Sequence, residues 1–277
     1  YRVLNYELST RRVAQELGVE LVDVDGFACC GFPMRSVDVK TTLLMAARNL
    51  CVAEEKGLDI CTICPACTSV LTETNKELKE NKELKEEVNG KLANLNKKFQ
   101  GMVKVRHFVR VLYEDVGIEK IKDRVVKDLT SFRLASHYGC HYLKPSDIYD
   151  DFDNPENPKS LDRLIEATGA QIVDYEDKKG CCGNVILGVN EDISLAMAKQ
   201  KLDHISLSRP DALVLLCPAC GLQLDNFQRR IEADFGASYK LPVLYYPQLL
   251  GLALGVEPEE LGLDMNRVKV DELLKKL

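Results

Sequence analysis

Apolar positions at helical spacing run from Val3 to Leu17, and the β-rich stretch Val19 to Val24 that follows reads as a strand. Val37 to Lys56 returns to a long helical pattern, and Leu58 to Cys61 reads as a short strand. The same order recurs later: a helix over Ser160 to Thr168, a strand over Gln171 to Tyr175, a helix over Asp192 to Ser208 and a strand over Ala212 to Leu216. Short strands alternating with helices predict an α/β fold with parallel pairing, in which ligands gather beyond the carboxyl ends of the strands. From Lys76 to Lys98, lysines and glutamates interleave, which predicts a solvated helix pair with i,i+4 ion pairs rather than a docking surface. The charged helical text ends near Lys127 to Ser131, dividing the chain into residues 1–130 and 131–277.

Composition narrows the classes. With 277 residues there is room for two domains or one built twice, and 45% apolar with 29% charged residues is ordinary globular content. The longest apolar stretches, Ala212 to Cys217 and Leu249 to Val256, fall far short of the roughly 20 residues of a membrane span, so no membrane insertion is expected. A net charge of −6 offers no basic field for nucleic acid. The anomaly is eleven cysteines beside four histidines and no tryptophan. Disulfide scaffolds are usually secreted and shorter than about 100 residues; no secretory signal is visible, and a reducing cytoplasm is the expected location. The chain opens at Tyr1 rather than Met, so a short N-terminal piece is expected to be missing.

The cysteines repeat. Cys29-Cys30-Gly31 is followed 34 residues after Cys30 by Cys64-Pro65-Ala66-Cys67, and Cys181-Cys182-Gly183 is followed 35 residues after Cys182 by Cys217-Pro218-Ala219-Cys220. Upstream of each CCG, the segment from Gly18 to Asp23 lies over the one from Gly169 to Asp174. Cys140 stands 41 residues before Cys181, and the same step back from Cys29 lands before Tyr1. The second half carries an extra loop from Asp150 to Lys159, so the missing partner is expected only a few residues upstream of Tyr1. Cys51 and Cys61 have no cysteine counterparts and read as bystanders.

Clustered thiolates repel one another unless a cation neutralises them, so a metal is the simplest explanation. A structural zinc site accepts the CPAC pairs, but adjacent Cys-Cys is a poor second pair for one tetrahedral ion. Cys61, Cys64 and Cys67 spell CxxCxxC, as in cubane ferredoxins, yet Val214 replaces the first of them in the second half and no CxxxCP follows.

The doubled pattern of Cys, long gap, Cys-Cys-Gly, gap, Cys-Pro-x-Cys resembles the cysteine-rich CCG-domain family. Within it, the chain is similar to the B subunits of the soluble heterodisulfide reductases of methanogenic archaea, including the tail from Tyr245 to Gly255. The resemblance implies two pseudo-symmetric, Rossmann-like parallel-sheet repeats holding two noncubane [4Fe-4S] clusters at the carboxyl ends of the strands. Carried over by position, Cys29, Cys30, Cys64 and Cys67 would hold the first, with a fifth ligand upstream of Tyr1. Cys140, Cys181, Cys182, Cys217 and Cys220 would hold the second. The implied reaction is reductive cleavage of the coenzyme M–coenzyme B heterodisulfide, between the clusters, to two thiols.

The implied partners are a flavin-carrying A subunit and a ferredoxin-like C subunit, with a hydrogenase or formate dehydrogenase upstream. Release of two thiols needs two protons and hence proton donors, for which His141 is the candidate, and the sulfonate and phosphate of the coenzymes need cations, for which Lys144 and Arg35 are the candidates. His107 and His204 sit on helical text and read as structural. Two other readings stay open: an iron–sulfur electron-transfer subunit of a succinate, glycolate, lactate or glycerol-phosphate oxidoreductase, and a structural zinc protein.

Overall fold

The computed structural model describes residues 3–277, which form two compact units. One is built from residues 21–108 and 141–155, the other from residues 3–20, 109–140 and 156–277. The expected division, 1–130 and 131–277, marks duplicated text, whereas the compact units take alternate segments of the chain.

In the unit containing residues 21–108, the helix Val39–Glu54 begins where the Asp38 carboxylate accepts the Thr41 backbone N–H at 3.0 Å, satisfying one donor that a helix start leaves open. Its apolar face, with Ala46, Ala47 and Leu50, packs with Val70, Leu78 and Phe99 in one buried core. Pro65 opens the helix Pro65–Glu80, where its missing N–H costs nothing. Asn81 ends that helix and caps the next, Lys82–Leu92, by accepting the Leu84 N–H at 3.0 Å. The charged stretch is therefore the helix pair its composition predicts, and Lys91 meets Glu87 at 3.1 Å one turn away. Strands β1 (Ile60–Thr62) and β2 (Val105–His107) pair in parallel, with Ile60 opposite Val105.

The end of the helix Val39–Glu54 is tied to the returning chain by a buried carboxylate. Glu54 accepts the backbone N–H groups of Gln100 at 2.8 Å, Gly101 at 2.5 Å and Met102 at 2.9 Å. Glu54→Ala is expected to destabilise this unit by about 2–4 kcal/mol, because three donors lose a charged acceptor. The check is urea unfolding: a lowered midpoint is expected, and an unchanged one would show that water replaces the carboxylate at no cost.

The strand expected over Val19 to Val24 does not form; this segment has irregular backbone, and Val22 is exposed. A strand persists only on a neighbouring ladder. In the second repeat, the matching strand β4 (Gln171–Ile172) lies beside β3 (Arg133–His137), but no described strand lies beside residues 19–24.

The other unit is built on a parallel sheet in the order β4-β3-β5-β6, with β3 at Arg133–His137, β4 at Gln171–Ile172, β5 at Ala212–Leu215 and β6 at Val243–Tyr245. All four residues of β5 are buried, as a run covered on both faces requires. The helix Ser160–Glu166 leads into β4, and Glu191–Leu207, capped by Asn190 on the Ile193 N–H, leads into β5. The helix Leu4–Leu17 belongs to this unit: the Tyr6 ring stacks on Tyr245 at 4.1 Å, and its hydroxyl donates to the Leu216 carbonyl at 2.9 Å.

A buried amide network holds the same helix to the C-terminal segment. Asn5 Nδ2 and Gln248 Nε2 both donate to Asn266 Oδ1 at 2.9 Å, and Asn266 Nδ2 donates to the Val243 carbonyl at 2.7 Å. Asn266→Ala strands groups on three elements and is expected to lower stability by about 2–3 kcal/mol, read as a lower thermal midpoint.

Candidate metal centres

Both CPAC segments follow a strand. β1 ends at Thr62, two residues before Cys64, and β5 ends at Leu215, two before Cys217. Each proline starts a helix, but the repeats then diverge. Pro65–Glu80 is one long α-helix, whereas Pro218–Gly221 widens at once into a π-helical turn over Leu222–Asn226.

The two CCG loops have one construction. Gly31 and Gly183 take φ values of +92° and +86°, which disfavour a side chain, and both lie against the helix that follows. A Cβ at Gly183 would stand 2.6 Å from the Ser194 carbonyl oxygen, and one at Gly31 would stand 3.0 Å from Thr42 Cα. At these matching positions the Thr42 hydroxyl donates to the Gly31 carbonyl at 3.3 Å, and the Ser194 hydroxyl donates to the Gly183 carbonyl at 2.9 Å. The glycine N–H turns back to the first cysteine of each pair, reaching Cys29 Sγ at 3.5 Å and Cys181 Sγ at 3.3 Å.

These loops gather the nine cysteines into two groups. In the first, the Cys67 thiol donates to Cys30 and to Cys64. Cys30 is thereby held down to about 6 and Cys64 to about 7, while Cys67 is pushed far up; Cys29 also donates to Cys30. In the second, hydrogen bonds from Cys140 and Cys182 hold Cys181 down to about 2, and Cys182 rises to about 12 chiefly through its bond to Cys181. Cys140 is raised by its bond to Cys181 and by burial, and buried Cys220 by bonds to Cys182 and Cys217. None of the eleven cysteines is in a disulfide. The fifth ligand expected for the first group precedes Tyr1 and lies outside the described residues.

Sulfurs gathered this closely are the donor chemistry that iron–sulfur groups require, since all of them can lose their protons together only around a cation. The bystanders differ. Cys51 lies in the apolar core, where burial pushes its thiol up to about 11, and Cys61 is exposed on β1 opposite Arg106.

The other candidates are placed less simply than the cysteines. His141 follows Cys140 in sequence but belongs to the unit of residues 21–108, where its ring meets Phe32 edge-on at 4.9 Å. Phe32 directly follows the first CCG, so His141 neighbours the loop of the first group. Lys144 is exposed. Arg35 is clamped by Glu73, at 2.7 and 2.9 Å through its two terminal nitrogens, so an anion would have to compete with that carboxylate. His107 is buried against the edge of Tyr142, and His204 is half-buried on the helix Glu191–Leu207.

One residue escaped the sequence reading. His137, the last residue of β3, is fully buried, and its ring nitrogen lies with the sulfurs of Cys182 and Cys220 in a group whose ligand atoms are all within 4.8 Å of one another. Burial holds its imidazole down to about 3, so it stays neutral.

Thiols grouped at the ends of parallel strands by a doubled loop define a class of metal-binding domain, and the chain belongs to it: residues 1–72 and 134–225 match the cysteine-rich CCG domain. Over 98% of its length, the chain is 39% identical to the B subunit of the ferredoxin:CoB-CoM heterodisulfide reductase of Methanosarcina mazei, covering 91% of that protein. Over 96% of its length, it is 34% identical to the 8-methylmenaquinol:fumarate reductase membrane anchor subunit of Wolinella succinogenes, covering 92% of that protein. By fold, it resembles the crystal structure of a hypothetical protein from Helicobacter pylori, with a TM-score of 0.79 at 16% identity; the likeness covers 98% of this chain and 50% of that one. Among the described residues, no helix is long and apolar enough to cross a membrane.

Proposed function

We propose that the chain is the iron–sulfur subunit of a heterodisulfide reductase, reducing the coenzyme M–coenzyme B disulfide to two thiols. The observation that supports this most is the gathering of nine cysteines into two like groups, in a chain so similar over its whole length to the B subunit of a heterodisulfide reductase. The groups would each hold a noncubane [4Fe-4S] cluster, and the division into residues 1–130 and 131–277 would record one gene duplicated. Bound there, the clusters supply electrons one at a time, and a disulfide needs two.

The chain's own residues would do the rest. The two CCG glycines set the loops so that paired cysteines present adjacent sulfurs. His141, beside the first CCG loop, would give a proton from its imidazole to a leaving thiolate, the general-acid role that an imidazole can fill. Lys144, exposed near it in sequence, would meet a sulfonate or phosphate; Arg35 could do so only by releasing Glu73. Electrons would arrive from a flavin-carrying A subunit and a ferredoxin-like C subunit, fed by a hydrogenase or formate dehydrogenase, in the cytoplasm.

A second reading has one observation in its favour. The Wolinella relative is named as part of a fumarate reductase, so the same domain could pass electrons to or from another subunit without binding a disulfide. Electron paramagnetic resonance of the oxidised, anaerobic protein with coenzyme M separates the two. A new cluster signal that depends on coenzyme M is expected for the reductase. Iron present with no change in the spectrum would favour the electron-transfer subunit.

A further inference from the structure

The two repeats differ in charge at one matched position. The step that takes Gly31 to Gly183 and Thr42 to Ser194 also takes Asn49 to Lys201 and Asp25 to Asp177. In the first repeat, the buried Asn49 amide is neutral and holds the CCG loop directly. Its Oδ1 accepts the Ala28 N–H at 2.9 Å, and its Nδ2 donates to the carbonyls of Ala28 at 3.0 Å and Cys29 at 3.2 Å. In the second, Lys201 stands two turns along the helix Glu191–Leu207 from Ser194, on the face that covers the CCG loop. Among the described residues it is the only buried lysine or arginine, and its side chain is 0% exposed. Its ammonium donates to the Asp177 carbonyl at 2.6 Å, lies 3.7 Å from the carboxylate of the same residue and faces the Tyr175 ring at 5.7 Å. A carbonyl, a carboxylate and an aromatic face all favour a cation. Burial works against the charge, while Asp177 and the thiolates of Cys181, Cys182 and Cys220 favour it.

We propose that Lys201 is a fixed buried cation that makes the second iron–sulfur group easier to reduce than the first, so that it takes the first electron from the ferredoxin-like donor. A thiolate-bound iron–sulfur group gains negative charge on reduction, and a positive charge in a low-dielectric interior stabilises that state. The opposing charge is weaker, because the Asp177 side chain is 33% exposed and water screens it. The first repeat has a neutral amide at the matching place. Its helix carries Arg48 beside Asn49, but that guanidinium reaches the Gly26 carbonyl from a partly exposed position, where solvent screens it as well. Two like sets of thiols are thereby unequal acceptors, and a two-electron reduction begins at a defined group. The proposal rests on the reading that both sets hold iron; Lys201 acts on the potential of the second group without ligating it.

The test is an anaerobic spectroelectrochemical titration that follows the loss of sulfur-to-iron charge-transfer absorption, with iron and sulfide assayed in parallel. The parent protein should show two one-electron waves. Lys201→Met should lower the higher wave by about tenfold in reduction equilibrium, or about 59 mV for one electron, and leave the other in place. Lys201→Arg keeps the cation and should leave both waves where the parent has them. Asp177→Asn removes the opposing carboxylate, keeps a residue type that tolerates the φ of +65° and should raise the higher wave. A Lys201→Met protein with full iron and an unmoved higher wave would overturn the proposal, as would a single wave in the parent or equal shifts in the Met and Arg variants. If Lys201→Met loses its iron or fails to fold, Asp177→Asn decides: a raised wave supports the proposal and an unmoved one refutes it. Absence of iron and sulfide from the parent would refute the reading beneath it instead.

Discussion

Cys182→Ser is expected to cost the protein about half of its iron and sulfide, because it removes one donor from a set of five while leaving the other set intact. Cys182 is the hinge of its group: it is bonded to both Cys181 and Cys220, and the sulfur shares the 4.8 Å cluster with His137. Serine oxygen is a harder and less acidic donor than thiolate, so it does not replace the sulfur. Cys30→Ser should remove the other half, since Cys30 links Cys29 to Cys67 in the first group. Cys51→Ser is the control. Its thiol lies in the apolar core and outside both groups, so iron should stay at the parental level. Anaerobic iron and sulfide assays on the three variants read the outcome, and equal losses in all three would mean that the effect is on folding rather than on ligation.

Gly183→Ala should damage both the fold of the second CCG loop and the metal group that the loop presents. The backbone there has φ +86°, where a side chain costs about 1–2 kcal/mol, and the added Cβ would meet the Ser194 oxygen at 2.6 Å. Relief requires the loop to leave the helix Glu191–Leu207, which breaks the Ser194 to Gly183 hydrogen bond and moves Cys181 and Cys182 together. We expect a stability loss of about 3 kcal/mol by denaturant unfolding of the metal-free protein, with loss of iron from the second group. Gly31→Ala has the same sign but should be milder, because its nearest atoms are 3.0–3.3 Å away. A Gly183→Ala protein with parental stability and full iron would show that the loop tolerates a side chain.

The cysteine sets were legible because duplication writes the same loop twice, and a loop that must bind something constrains its spacing more tightly than a helix face does. Parallel pairing was legible for β5, whose buried run of Ala212 to Leu215 announces a covered strand. The segment Val19 to Val24 reads alike in sequence but has no ladder beside it, and pairing is a property of the neighbour rather than of the segment. His141 was placed by its adjacency to Cys140, yet the chain passes from one compact unit to the other between those two residues, and the His141 ring packs on Phe32, a contact that adjacency in sequence does not announce. Arg35 looked like an open cation because its partner, Glu73, lies on a helix 38 residues away. His137 carried no signal beyond its place at the end of a strand; only burial beside Cys182 and Cys220 singles it out.

The most direct measurement of the central claim is the metal and sulfide content of the protein purified without oxygen. Two cysteine sets of this kind predict a brown protein with iron and acid-labile sulfide in equal amounts, about eight of each per chain, and no zinc. A colourless protein carrying zinc and no sulfide would contradict it.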